Sequence, residues 1–145
     1  MSFHESLGDT AKAFRLAPAQ RLSGVNVLGV DDELDTLLLV QRMLTMAGAN
    51  VTLAASAAEA VDWLRREKVD VLISDISMPG EDGYSLIKRV RASTIGPNAN
   101  IPAAALTAYA RAQDRSSALD AGFQMHLVKP IDPHKLITIV ADLAA

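Results

Sequence analysis

Five short apolar runs alternate along this chain with stretches long enough for helices, and four of those runs end in polar residues. A repeated order of strand, helix and strand predicts a parallel sheet covered by helices on both faces. Parallel strands share one edge at their carboxyl ends, so the polar residues there should converge. These residues are Asp31 and Asp32, Asp75, Thr107 and Lys129. Their convergence predicts a site for phosphate and metal.

The spacing of apolar residues locates the individual elements. Strands are predicted at 25–31, 50–55, 69–75, 101–107 and 124–129. The first helix should end near Gly48, and the second should open at Ser56 with Glu59 three residues later, a capping-box pattern. In the first helix the apolar positions that recur at helical spacing are Leu34, Leu37, Leu38, Met43 and Leu44. Further helices are predicted at 84–91, 111–121 and 132–143.

The first residues differ from the rest, although 145 residues suit one domain. Phe3, Leu7, Ala11 and Phe14 are spaced for one helix face, and Pro18 would end that helix. We therefore expect residues 1–24 to be an extension or linker and residues 25–145 to be the folded domain.

Composition and charge exclude several classes of function. The sequence has no cysteine, which rules out disulfides, thiol catalysis and cysteine-bound metals. No apolar run approaches the roughly 18 residues that cross a bilayer, and the start lacks a signal-peptide pattern. The formal net charge of -3 argues against a nucleic-acid surface. We expect a cytoplasmic domain that contacts neither nucleic acid nor membrane.

Consecutive acids follow the first predicted strand, at Asp31, Asp32 and Glu33. If Asp75 lies on the neighbouring strand end, repulsion among the carboxylates would raise their pKa values unless a cation intervened. Oxygen ligands that leave room for water suit Mg²⁺. An acidic pair alone would more often be a helix cap or a solvated turn. The nearby Asp75 and Lys129 favour the metal site.

The remaining polar residues each have more than one interpretation. Asp75 could be a metal ligand, a turn residue or a nucleophile that forms an aspartyl phosphate. Lys129 could neutralise phosphoryl oxygens and Thr107 could donate a hydroxyl hydrogen bond. Taken singly, Lys129 before Pro130 fits an exposed loop, and Thr107 is a common strand residue. Their joint position at strand ends favours the chemical interpretation.

Four motifs in order make this sequence resemble bacterial response-regulator receiver domains. The resemblance covers residues 25 to about 144. It implies a flavodoxin-like (βα)5 fold, an α/β doubly wound parallel sheet with strand order 2-1-3-4-5. The motifs are VLGVDDE at 27–33, SDISMPGEDG at 74–83, ALTA at 105–108 and LVKP at 127–130.

The resemblance also implies a metal-dependent phosphoacceptor site. Asp75 would accept a phosphoryl group from a phosphohistidine and would share the binding of Mg²⁺. Asp32 would bind the metal directly, and Asp31 would act through a water molecule. The backbone carbonyl of Ser77 would complete the protein's share of the metal ligands.

Other positions would respond to the phosphoryl group or control its lifetime. Lys129 would pair with it, and Thr107 would move to hydrogen-bond it. His126 stands where the family usually has a Tyr or Phe that swings inward, so it is either the rotating aromatic group or a fixed strand residue. Ser77 and Tyr109 would flank the phosphoryl group and tune water access, and the bulk of Tyr109 predicts slow autodephosphorylation.

The expected function is that of a receiver in a two-component phosphorelay, which acts only on its own aspartate and switches the face of strand 4, helix 4 and strand 5. Its partners would be a histidine kinase or a histidine phosphotransfer protein, with a homodimer possible. The sequence favours the receiver of a hybrid histidine kinase, with a free-standing regulator close behind. Two alternatives remain: a docking module that is never phosphorylated, and a small Mg²⁺-dependent aspartyl phosphatase. The phosphatase is disfavoured because Ser77 replaces the acid that such enzymes place two residues after the nucleophile.

Overall fold

Five parallel strands form one sheet in the computed structural model, which describes residues 21–92, 96–108 and 111–145. The strand order is β2-β1-β3-β4-β5, which confirms the predicted doubly wound topology. The strand bounds are β1 Asn26–Val30, β2 Asn50–Ala54, β3 Val71–Asp75, β4 Ala103–Thr107 and β5 Met125–Val128. No helix in the described ranges is long and apolar enough to cross a membrane.

Helices fill the intervals between strands, as the apolar spacing predicts. The Ser56 hydroxyl accepts from the Glu59 amide at 3.2 Å, which confirms the cap of the second helix. Asp82 caps the third helix in the same way, and Asp132 caps the fifth, where Pro133 occupies the first turn. The helix bounds are α1 Leu34–Met46, α2 Ala57–Arg66, α3 Gly83–Arg91, α4 Ala112–Ala121 and α5 Pro133–Ala144.

The core has two layers, one on each face of the sheet. Along β3, Val71 and Ile73 point to the layer under α1 and α5, while Leu72 points to the layer under α2, α3 and α4. All five residues of β3 are buried, as a strand covered on both faces should be. The central strand is therefore a rigid support for the residue at its end, Asp75.

The third and fourth strands begin two residues later than predicted, and the amides of Val69 and Ile101 ahead of them bond to Asn98. The Asn98 carboxamide accepts from the Val69 amide and donates to the carbonyls of Leu64 and Glu67. The Asn98 carbonyl accepts from the Ile101 amide. Asn98 thus provides hydrogen-bond partners for the backbone amides just before both strands.

The apolar spacing of α1 predicted its buried face only in part. Leu37 and Leu44 are buried, as is Val40, whereas Leu34 and Leu38 are exposed. At 100° per residue, positions 34 and 38 point away from the row formed by 37, 40 and 44. Helical spacing alone did not distinguish the two rows.

The chain enters the fold slightly before the predicted boundary at residue 25. Leu22 is fully buried in the layer under α1 and α5, and its amide donates to the Ala47 carbonyl at 2.9 Å. The helix predicted from Phe3, Leu7, Ala11 and Phe14 lies outside the described residues.

Two glycines differ in the space around them. A Cβ atom on Gly29 in β1 would lie 3.6 Å from Leu53 Cδ2 and Val40 Cγ1, an ordinary contact. A Cβ atom on Gly83 would lie only 2.3 Å from the Asp75 carbonyl oxygen. Gly29 therefore weakens the strand without being required by packing, whereas Gly83 is required for the close approach of α3 to the end of β3.

We expect Gly29→Ala to raise the free energy of unfolding by about 0.5–1 kcal/mol, because alanine loses less backbone entropy on folding and fills available space. Gly83→Ala should lower it by about 1–3 kcal/mol because the backbone must shift. Urea unfolding followed by circular dichroism would measure both. A destabilised Gly29→Ala would contradict the packing argument.

Candidate functional site

The carboxyl ends of four strands bring the predicted polar residues to one edge of the sheet. Asp31 follows β1, Asp75 ends β3, Thr107 ends β4 and Lys129 follows β5. The register pairs Val30 with Ser74 and Asp75 with Leu106, so each residue lies within one step of its neighbour along the edge. The Lys129 amide donates to the Thr107 carbonyl at 2.7 Å. Strand 2, which ends in apolar residues, is the outer strand next to β1.

Three carboxylates form a compact acid cluster, defined here as Asp31, Asp32 and Asp75. One oxygen from each lies within 4.8 Å of the others. Asp31 is 1% exposed and Asp75 is 4% exposed, whereas Asp32 is open to solvent. The cluster thus has two buried charges at its base and one at its mouth.

The ammonium group of Lys129 contacts both buried acids. Its Nζ donates to Asp31 Oδ2 at 2.9 Å and lies 3.5 Å from Asp75 Oδ1. It also donates to Glu33 Oε1 at 3.3 Å, and the Glu33 amide donates to Asp31 Oδ1 at 2.9 Å. Glu33 was expected as an acid beside the site but was not predicted to contact Lys129. Its position directly after Asp32 in the sequence was the feature that could have indicated this contact.

Burial and the negative charge of Asp31 raise the pKa of the Asp75 carboxyl to about 6. Lys129 and the backbone amides of Ser77 and Ile76 oppose this increase. For Lys129, burial alone would lower the pKa, but its hydrogen bonds to Asp31 and Glu33 and the charges of Asp31 and Asp75 raise it above its usual value. The lysine stays charged, but its single positive charge does not fully compensate the negative charge of the acid cluster.

The donor chemistry of this cluster fits a hard divalent cation. All three groups offer carboxylate oxygens, and the spacing of these oxygens places them around one small volume. Mg²⁺ prefers a few such oxygens and keeps several waters. A cation there would offset the repulsion that raises the pKa of Asp75. The three acids could therefore hold Mg²⁺.

The loop after β3 is held closely against Asp75. The Gly83 amide donates to the Ile76 carbonyl at 2.9 Å, which closes the loop at its base. Glu81 accepts from Ser85 Oγ at 2.9 Å and pairs with Arg89 on α3. Ser77 lies on this loop and is exposed, so it borders the mouth of the site.

Thr107 and His126 are placed differently relative to the acid cluster. Thr107 is buried at the end of β4. His126 pairs in register with Ala105, two residues before Thr107, so it lies further from the edge. Its Nε2 is buried and makes no hydrogen bond within the described residues. Burial and the charge of Arg115 lower the pKa of His126, while Asp114 opposes this. Tyr109 lies outside the described residues.

Sequence comparison places the fold and the motifs in a known family. The family model described as "Response regulator receiver domain" matches residues 27–141. An uncharacterised 14.6 kDa protein from the sodA1 3′ region of Leptolyngbya boryana is 48% identical over 121 residues, which cover 83% of this chain and 91% of that protein. Sensor protein GacS of Pseudomonas syringae pv. syringae is 37% identical over 115 residues, which cover 79% of this chain but only 13% of GacS.

Structure comparison agrees with the sequence. A putative response regulator from Chloroflexus aurantiacus J-10-fl superposes with a TM-score of 0.76 at 32% identity. The match covers 83% of this chain and 98% of that one. The family model spans β1 to α5 and all four strand ends that form the site. This chain therefore belongs to the response regulator receiver domains of two-component signalling.

Proposed function

We propose that this chain is a phosphoacceptor of a two-component phosphorelay and that Asp75 takes the phosphoryl group from a phosphohistidine. The observation that carries the proposal is the position of Asp75. It ends the central strand, lies 3.5 Å from the Lys129 ammonium and shares the acid cluster with Asp31 and Asp32. A buried acid placed between an ammonium and a cation site is suited to accept an anionic group.

The transfer is a displacement at phosphorus. A carboxylate oxygen of Asp75 forms the new P–O bond as the N–P bond to the donor histidine breaks, and the departing imidazole takes a proton from solvent. Lys129 balances charge on the phosphoryl oxygens. When bound, Mg²⁺ supplies further neutralisation of these oxygens. Asp75 attacks in its ionised form, which a neighbouring cation favours.

The hydrogen bonds in the acid cluster support distinct metal roles. Asp31 already accepts from Lys129 at one oxygen and from the Glu33 amide at the other, which suits contact with Mg²⁺ through water. Asp32 is open to solvent and suits direct binding. Asp75 and the backbone carbonyl of Ser77 would complete the protein ligands.

Switching would begin at Thr107 and extend along β4 and β5. The Thr107 hydroxyl would turn toward the phosphoryl group, and His126 would respond as the aromatic group behind it. The unpaired Nε2 of His126 is consistent with a side chain that has no fixed hydrogen bond. Ser77 and Tyr109 would set the access of water to the phosphoryl group.

In this proposal the domain is not a classical enzyme, because the reaction occurs on its own Asp75. Its partner would be a histidine kinase or a histidine phosphotransfer protein in the cytoplasm, with no nucleic acid or membrane contact and a homodimer possible. The similarity to one short stretch of GacS supports a place in a hybrid kinase. The match over nearly all of the Leptolyngbya protein supports a free-standing regulator, the second alternative.

Incubation with a small phosphoryl donor and Mg²⁺ should add one phosphoryl group to the native chain, as measured by intact-mass spectrometry. Asp75→Asn should show no adduct because the nucleophile is absent. Asp62→Asn, at an exposed position of α2, should be labelled like the native chain. Chelation of Mg²⁺ should abolish labelling.

Equal labelling of Asp75→Asn and the native chain would refute the proposed acceptor. No adduct on any variant, even with a histidine kinase present, would instead favour a docking module. Sustained release of phosphate from external phosphomonoesters would favour a phosphatase.

In EDTA at pH 7, Asp75→Asn should be more stable than the native chain by about 1–3 kcal/mol, because it removes a buried carboxylate whose pKa is raised. The folded pKa of about 6 lies above the unfolded value of 3.8. The stability contributed by Asp75 is thus full below pH 3.8 and is lost as the pH rises through 6. The advantage of Asp75→Asn should therefore nearly vanish at pH 4.

Thermal unfolding at pH 7 and pH 4 would measure the stability difference between the two proteins, and its repetition with Mg²⁺ would measure the effect of the cation. Mg²⁺ should raise the Tm of the native chain more than that of Asp75→Asn. Asp62→Asn should match the native chain within about 0.5 kcal/mol, since exposed charges contribute little. A less stable Asp75→Asn at pH 7 would contradict the charge argument.

Thr107→Ala should still accept the phosphoryl group but should lose most of the structural response on α4 and β5, because the moving hydroxyl is gone. Hydrogen exchange before and after phosphorylation would measure the response. Thr52→Ala on the outer strand β2 is the matched control and should respond like the native chain. A full response in Thr107→Ala would exclude the proposed switch.

A further inference from the structure

Helix α1 has an unusually apolar solvent-facing side. Within the described residues, five large hydrophobic side chains are exposed, and four of them belong to α1. They are Leu34 at 63%, Leu38 at 49%, Leu39 at 44% and Met46 at 69%. Single exposed apolar residues are common, but a group along one helix indicates a contact surface. We call these four residues, together with Asp35 and Arg42 on the same side of the helix, the α1 face.

The α1 face also carries two opposite charges at matched positions. Asp35 and Arg42 are exposed, and within the described residues neither side chain makes a hydrogen bond or an ion pair. At 100° per residue, these two residues lie about 20° apart around the helix and about 10.5 Å apart along it. Leu38 and Leu39 lie midway between them along the helix, about 50° to either side of the line that joins them. The charges are therefore arranged evenly about a centre between Leu38 and Leu39.

This arrangement makes the α1 face complementary to itself. When two copies of α1 pack antiparallel about a twofold axis at this centre, Asp35 of each copy lies opposite Arg42 of the other. Leu38 and Leu39 of each copy then meet their own counterparts in the middle. A parallel pairing would instead place like charges opposite each other, which is unfavourable. A twofold interface uses the same surface on both copies, so one helix supplies both halves of every charge pair.

We propose that the α1 face is the interface of a homodimer in which two α1 helices pack antiparallel. Two Asp35–Arg42 pairs between the copies flank an apolar centre formed by Leu38 and Leu39. The thirteen residues of α1 span about 20 Å. One pair of such helices buries less than the roughly 1,600 Å² of a standard interface, so the dimer is weak, with a Kd on the order of 100 µM. The dimer does not depend on the phosphorylation of Asp75.

The antiparallel register brings the second copy next to the acid cluster. A twofold axis between Leu38 and Leu39 places Thr45 of one copy opposite Asp32 of the other. Asp32 is the exposed acid at the mouth of the cluster. The dimer therefore covers the approach to Asp75 over α1. A consequence that rests on the proposed function is that the second copy competes with a phosphodonor protein on this side.

Charge reversal tests the pairing, with sedimentation of the full chain at concentrations from well below to well above the expected Kd. The native chain should change from monomer to dimer over this range. Asp35→Arg and Arg42→Asp should each raise the Kd at least roughly ten-fold, because like charges then lie opposite each other. An equimolar mixture of these two variants should dimerise like the native chain, since every pair in it joins opposite charges. The control Asp62→Arg makes the same charge change at an exposed position of α2 and should leave the Kd within about two-fold.

A native chain that stays monomeric well above the expected Kd would overturn the proposal and assign the α1 face to a different protein. A dimer that neither Asp35→Arg nor Arg42→Asp weakens would also overturn it, because another surface would then form the contact. Failure of the mixture to dimerise would exclude the antiparallel register.

Single introduced cysteines provide a second, independent measurement, because the native chain has no cysteine. Leu39 meets its own counterpart in the proposed dimer. Leu39→Cys should therefore form intermolecular disulfides at least about five-fold faster than Leu119→Cys under the same mild oxidation. Leu119 is the matched control, since it is 42% exposed against 44% for Leu39 but lies on α4, over the other face of the sheet. Equal rates for the two variants would refute the contact.

Discussion

The chemistry of the site depends on two buried carboxylates that share one ammonium group. Asp31 and Asp75 lie almost entirely out of solvent, and Lys129 bonds one at 2.9 Å but stands 3.5 Å from the other. The positive charge of Lys129 reaches both acids because β1, β3 and β5 end at the same edge of the sheet. The raised pKa of Asp75 reflects incomplete compensation. Negative charge that is not fully compensated favours the binding of a cation. An aspartate beside that cation can receive an anionic group.

Much of this arrangement follows from local sequence. The largely apolar run at 69–75 is typical of a strand that is buried on both faces of a parallel sheet. Strand order was carried over from the family resemblance, and the structure confirms it. Once the order is given, Asp31 and Asp75 lie at the ends of the adjacent strands β1 and β3, and Lys129, which follows β5, can reach them across the end of β4. The acid cluster was therefore predictable from the pattern before any distance was known.

Other features depend on contacts that a linear pattern does not contain. Leu34 and Leu38 also recur at helical spacing, yet they lie on the solvent side of α1, because only the row of Leu37, Val40 and Leu44 faces the core. Glu33 reaches Lys129 across 96 residues of sequence. Gly83 is required by the carbonyl of Asp75, a backbone approach that no side-chain pattern encodes. Each case is decided by tertiary geometry rather than by propensity.

The rigid and the weakly held parts of the molecule lie on different sides of the site. The central strand β3 is buried along its whole length, and Gly83 fixes the start of α3 against it. In contrast, Ala118 is the one buried residue among the ten of α4, and no side chain caps that helix at its start. An element with so little buried surface opens or shifts at low cost. The proposed change at Thr107 would meet less resistance toward α4 than toward α3, so the packing would direct such a response toward α4.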